Sequence, residues 1–298
     1  MSIVEPDPSL TDVARAQPRD RATTVVLSVI AIAIGFVLIM WMLTNERFEW
    51  PVVAQYFFAP PVLRGLGMTL LLTTICMITG SVAGVILALM RLSPVFALRT
   101  LSAGFVWFFR SVPMLVQLIF WFNLSYLLPR IIIGVPFGPE FFSWNTNDVI
   151  NSFTAAIIGL TIHEAAYMSE IVRSGILSVD PGQKDAAKAL GYRSPQVFFR
   201  IVLPQALRVI LPPTGSQVIS MLKGTSLVSV IGMTDLLHSV QVIYNRTFEI
   251  VPLLLVASIW YLVLIAVLSL IQAQIERRLA RGFTREMAHV VRTEEVSA

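Results

Sequence analysis

Uncharged runs of about twenty residues recur along this chain, and they leave it few ways to fold. A helix needs about twenty apolar residues to cross the hydrocarbon of a bilayer. Thr24–Leu43 is one such run and Val251–Ile271 is another. Of 298 residues, 56% are hydrophobic and only 13% are charged, about half the charge of a soluble domain. The reading is an all-α polytopic membrane protein with six transmembrane helices.

The other spans carry interruptions. Gly67–Leu89 holds Gly80 and Gly84, a spacing that either lets another helix approach closely or is merely tolerated in a membrane helix. Leu101–Leu128 is interrupted by Arg110 and Pro113. Phe153–Ile176 holds His163, Glu164 and Glu170. Leu207–Ile231 is unusually polar, and Pro212 and Pro213 are expected to break it from the helix before it. Its polar residues point to a subunit interface or a pathway lining. Residues 1–23, with three prolines and three arginines, read as a disordered tail. Asn45, Glu46 and Arg47 follow the first span, with no small-residue cleavage site, so that span reads as a retained anchor.

Counting Lys and Arg orients the chain. With both termini in the cytoplasm, the inside segments hold sixteen and the outside segments four: Arg47, Arg64, Arg130 and Arg246. Arg110 and Lys223 lie within spans. This is a positive-inside bias. It puts residues 177–206 in the cytoplasm and the 129–150 loop, with Phe141, Phe142 and Trp144, outside. The net charge of +4 follows from the same rule and implies membrane lipid, not nucleic acid, as surroundings. The lone cysteine, Cys76, lies in an apolar run and reads as packing.

The 177–206 segment is written as two helices. Asp180 is a good N-cap, Pro181 suits the first turn, and Gly191 suits the C′ position. Ser194 and Pro195 start a second helix, VFFRIVL, which Pro204 stops; Phe198, Ile201 and Val202 share a face. By caps and periodicity alone this is a surface connector of two amphipathic helices.

Residues 185–204, DAAKALGYRSPQVFFRIVLP, resemble the cytoplasmic "EAA" loop of ABC-importer permeases: Glu-Ala-Ala, three residues, Gly, nine residues, Ile-x-Leu-Pro. Asp185, Ala186, Ala187, Gly191, Ile201, Leu203 and Pro204 match that spacing, with Asp185 where the family usually has Glu. The segments GLGMTLLLT (65–73), RSVPMLVQ (110–117), AAYMSEIVRSGI (165–176), LPQALR (203–208) and LKGTSLVSVI (222–231) resemble the polar amino-acid branch of these permeases, the histidine, glutamine, glutamate, arginine and opine uptake group. Ser111 and Val112 depart from that branch's usual Arg-Gly-Thr-Pro. The resemblance spans residues 62–282.

It implies a type I importer permease core of five helices over 62–282, with a coupling loop at 180–204. An extra N-terminal anchor and external connector would occupy 24–61, and a cytoplasmic tail 283–298. It implies a bacterial cytoplasmic (inner) membrane location, two ATP-binding cassette ATPase subunits, a second permease, identical or homologous, and an external solute-binding protein. No GxxxxGK[ST] occurs in the sequence, so ATP-Mg is expected on the partner ATPase and no cofactor on this chain. His163, His238 and His289 are far apart, and neither a metal-ligand spacing nor a nucleophile–base pair is evident, so no catalytic residues are expected.

Ionisable residues inside spans are costly and usually face an interior. Glu170 and Arg173 are spaced to pair along one helix. Glu164 has Leu160, Thr161, Tyr167 and Met168 as helical neighbours, none of them charged. Two readings stay open for it. With Arg110 or Lys223 it supplies both charges that a zwitterionic amino acid requires, or it forms an ion pair with them and never touches substrate. The candidate pathway residues are Glu164, Arg110, Lys223, His163, Thr225, Ser226 and Gln217. The competing class is a self-sufficient secondary transporter or channel for small polar solutes. It needs no ATPase-docking loop, and the sequence shows no internal repeat of the kind common in such transporters.

Overall fold

The computed structural model describes residues 21–135 and 139–296, with side chains over 23–135 and 139–278. The expected disordered tail therefore lies almost wholly outside the described residues, as does the side chain of His289. The chain divides into a unit ending at Trp50 and a unit from Pro51 onward.

In the first unit, α1 (Arg21–Thr44) is apolar all round and has no buried residue between 23 and 44. A helix of that kind fits lipid on every side. Asn45 then caps a short 3₁₀ turn, accepting the N–H of Arg47 at 3.0 Å.

The second unit begins with α2 (Trp50–Phe57) and α3 (Pro60–Leu92). Next come α4 (Phe96–Ser111), α5 (Met114–Phe122) and α6 (Leu124–Leu127). A hairpin of β1 (Arg130–Gly134) and β2 (Glu140–Asn145) leads to α7 (Thr146–Val149) and α8 (Ser152–Leu177). Among the described residues of the two units, five helices are long and apolar enough to cross a membrane, and the pair α4–α5 makes a sixth if counted as one span. The hairpin departs from the all-helical expectation. Its strands are rich in β-branched and aromatic residues, which favour a pleat, and they pair antiparallel from Arg130 with Asn145.

Of the two proline interruptions expected in the spans, one holds and one fails. The third span is interrupted at Pro113, where α4 and α5 meet at 101°. Val112 precedes Pro113 and is extended (φ −85°, ψ 129°), because a residue before proline is pushed out of the helical region. The Gln117 amide donates to Phe109 O and Val112 O, both at 2.9 Å, so the carbonyls freed by the bend are satisfied. Pro212 and Pro213, by contrast, do not break their helix. They lie inside α11 (Leu203–Gly224), with Gln272 Nε2 donating to Pro212 O at 3.4 Å and to Ser216 Oγ at 3.2 Å. Prolines inside a helix are tolerated in membrane proteins, where packing against neighbouring helices holds the helix together.

After a 3₁₀ segment, Thr225–Ile231, the chain ends in α12 (Leu236–Thr247) and α13 (Ile250–Val296). The core sits where α3 and α8 run against each other. A methyl group on Gly80 would stand 2.6 Å from Glu164 Cβ, and one on Gly84 the same distance from Met168 Cβ. The two glycines are therefore a contact surface and not merely tolerated. Leu72, Cys76, Leu118, Leu160 and Met221 fill the main cluster. Thr79 and Thr161 hydroxyls meet at 2.7 Å across the same seam.

Candidate functional site

Glu164 stands at the middle of α8 and is buried, with its Cβ and Cγ against Gly80. Its Oε1 has no hydrogen-bond partner. It opens onto a pocket of about 230 Å³ that also holds Met114, His163, Tyr167, Gln217 and Ser220. Three helices converge here: α5 brings Met114, α8 the acid and its neighbours, and α11 Gln217 and Ser220. His163 packs its ring 4.9 Å from that of Tyr167, and its Nδ1 is buried without a partner. The Arg110 guanidinium lies 5.1 Å from the centre of the Tyr167 ring. The pocket thus has a carboxylate inside and a cation stacked over one of its lining rings.

Three of the seven expected pathway residues, Glu164, His163 and Gln217, line this pocket, and Arg110 touches it only through the Tyr167 ring. Lys223, Thr225 and Ser226 do not line it. Thr225 Oγ1 donates to Leu222 O at 2.8 Å and Ser226 Oγ to Lys223 O at 2.7 Å, so both hydroxyls are spent on their own helix. Among the described residues neither Arg110 nor Lys223 forms a salt bridge with Glu164. Ser220, one of the polar residues for which the fifth span reads as a pathway or interface lining, also lines it, while Met114, Tyr167 and Met221 carry no such signal in the sequence.

Glu170 is paired as its spacing indicated, and more fully. Arg173 Nη2 and Arg91 Nη1 each lie 2.8 Å from one of its oxygens. Arg91 closes α3, so the triad clamps the ends of α3 and α8 together next to the following loop.

That loop forms α9 (Pro181–Ala189) and α10 (Ser194–Val197). Asp180 Oδ1 accepts the N–H of Gly182 as N-cap. At the other end Gly191 has φ +82°. Its N–H bonds Lys188 O at 2.9 Å, and Tyr192 N–H bonds Ala187 O at 3.1 Å, the paired bonds of a Schellman stop. The second helix differs from expectation in two ways. Its cap position is Arg193, not Ser194, with Gln196 Oε1 accepting the Arg193 N–H at 2.9 Å. It is not stopped by Pro204: a π-helical turn over Phe198–Val202 carries it directly into α11, where Pro204 occupies the first turn and needs no N–H partner.

The loop has an inner and an outer face. Ala187, Val197 and Val202 are buried with Ala88, Met168 and Ala206, so they fasten the loop to the ends of the spans. Asp185, Ala186, Gly191 and Pro204 are exposed, while Ile201 and Leu203 are half-buried. Ala187 therefore packs inward and is not available for close approach by a partner. Leu190, 78% exposed, and Phe199, 65% exposed, are apolar groups on the outer face that spacing did not single out.

Residues 80–281 match the family described as binding-protein-dependent transport system inner membrane component. The chain belongs to this family, the membrane-spanning permease components of such transporters. It is 40% identical over 265 residues to the arginine transport system permease protein ArgU of Corynebacterium glutamicum, covering 87% of this chain and 82% of that protein. It is 36% identical to the L-cystine transport system permease protein TcyB of Bacillus subtilis, covering 78% and 92%. A solved amino acid ABC transporter, crystallised with histidines, superposes with a TM-score of 0.64 at 32% identity, covering 76% of this chain and 97% of that one.

Proposed function

We propose that this chain is the permease subunit of an ATP-driven, binding-protein-dependent importer of polar amino acids. The buried Glu164 carboxylate, open to a polar pocket with Arg110 stacked over one lining ring, is the observation that carries the substrate class. An amino acid needs an acceptor for its ammonium, which Glu164 offers, and donors for its carboxylate, which Gln217 and Ser220 can supply from the same pocket. Arginine, the substrate in the name of the C. glutamicum relative, is the first to try. The chain works beside a second permease, two ATPase subunits that hold ATP-Mg, and an external solute-binding protein. Residues 62–282 are the transport core and 24–61 an added anchor. ATP binding closes the ATPases, draws the 180–204 loops inward and opens the pathway outward; hydrolysis resets it.

The deciding experiment is uptake into proteoliposomes holding the permease and its ATPase, with binding protein and a panel of amino acids. ATP-dependent uptake of a polar amino acid is expected. Uptake driven by an ion gradient without ATP overturns the reading in favour of a secondary transporter.

Three variants test the parts. Gly191→Asp places a side chain at φ +82°, which costs about 1 kcal/mol, and adds charge on the outer face. Uncoupled or unassembled transporter is expected; normal ATPase stimulation counts against the coupling role. For orientation, a cysteine replacing Ser143 on exposed β2 should react with an impermeant thiol reagent in intact cells, and one replacing Ser194 should not. The opposite pattern would overturn the cytoplasmic placement of the loop and both termini.

A further inference from the structure

The end of the molecule away from the 180–204 loop holds a second, larger pocket, of about 500 Å³, between the start of α3 and α12. Arg64, Thr234, His238 and Arg246 supply its polar atoms, and Val242 and Ile243 part of an apolar wall. We propose that it binds the phosphate headgroup of an anionic membrane lipid, with the apolar wall receiving the start of an acyl chain. This goes beyond the transport reading and does not depend on which solute is carried.

Depth is the first support. Glu164 is central in α8 and touches Gly80. Arg64 lies sixteen residues before Gly80 on α3, about 24 Å along the helix at 1.5 Å per residue. Half of a bilayer's hydrocarbon is about 15 Å, so Arg64 reaches headgroup level. The aromatic groups agree. Trp260 stacks on Phe57 at 4.8 Å and donates its indole N–H to Phe57 O at 2.9 Å, and Phe58 beside them is 67% exposed. Such rings mark the membrane–water boundary.

Charge is the second support. Among the described residues, neither Arg64 nor Arg246 has a salt-bridge partner, and no acid lines the pocket. Arg64 Nε is bonded to Pro60 O at 3.3 Å, which steadies the guanidinium and leaves its terminal nitrogens for an anion. His238 Nδ1 is buried without a partner. Two guanidinium groups beside an imidazole and a hydroxyl suit phosphate oxygens. The concave, partly apolar wall favours a lipid over the flatter acidic surface of a protein.

The test uses the purified permease–ATPase complex. Native mass spectrometry should find phosphatidylglycerol retained in preference to phosphatidylcholine. Arg64→Gln with Arg246→Gln should lower that retention about tenfold, and the paired lysine replacements should keep most of it. Inorganic phosphate should not displace the lipid. Equal retention of the two lipids by the unmodified complex, or unchanged retention in the glutamine pair, overturns the proposal. Displacement by inorganic phosphate makes the site one for a free anion instead. Retained lipid with lost stimulation by the binding protein makes it a protein contact. If the glutamine pair fails to assemble, the unmodified complex decides: thermal stabilisation by phosphatidylglycerol micelles but not phosphatidylcholine supports the site, and equal stabilisation overturns it.

Discussion

Uptake by a Glu164→Gln variant is expected to fall about ten- to a hundredfold at low substrate, the range for losing one charge-assisted contact. Its thermal stability is expected to stay unchanged. The amide has the shape of the acid, so the contacts of Cβ and Cγ with Gly80 survive. Among the described residues no salt bridge joins the carboxylate to a cation of the same subunit, and Arg110 lies over the Tyr167 ring. Uptake and melting of the assembled complex, measured together, separate the possible roles. Lost uptake at constant stability assigns the carboxylate to the substrate ammonium. Lost stability assigns it to an ion pair across subunits, where removal would strand a charge. Full uptake removes it from the pathway.

The second large effect is expected at Gly84→Val. A methyl group there stands 2.6 Å from Met168 Cβ, 3.0 Å from Ser169 N and 3.1 Å from Ala165 O. Two of those atoms are backbone, so relief requires α8 itself to move. Overpacking of this kind costs about 3 kcal/mol or more, a large share of a total stability of about 5–15 kcal/mol. Little assembled complex should survive extraction. Gly104→Ala is the matched control, since nothing lies within 4 Å of the added group, and it should melt like the unmodified protein. Equal yields from both variants would show that the α3–α8 seam is looser than its geometry indicates.

Hydropathy made most of the spans legible, because each must be apolar over the thickness of a bilayer whatever it packs against. Breaks were less legible, since proline has several possible outcomes. Pro113 bends its span because Gln117 can satisfy the freed carbonyls. Pro212 and Pro213 instead stay within α11, where Gln272 on α13 bonds Pro212 O and Ser216 Oγ. Which outcome a proline has is decided by partners such as Gln117 and Gln272, not by the proline itself. Glu164 could be picked out because a charge in an apolar run is rare. Lys223 has the same rarity yet lies on an exposed face, because a helix's rotation about its axis is decided by packing and not by composition. The loop's caps were readable from Asp180 and Gly191, which act on their immediate neighbours. The inward turn of Ala187 was not, since it depends on Val197 and Val202 closing over it.

The join between the loop and the membrane has a mechanical consequence. From Ser194 to Ile231 the chain is one helical run, the π turn included. A connector with a true break acts as a hinge and passes on only push and pull. An unbroken helix also passes on torque, and one residue of slip corresponds to about 100° of turn. A modest twist applied at Phe199 would therefore swing Gln217 and Ser220 towards or away from Glu164 with almost no travel along the axis. On that geometry a displacement at the loop would reach the pocket as rotation, and distances measured along the membrane normal would miss its stroke.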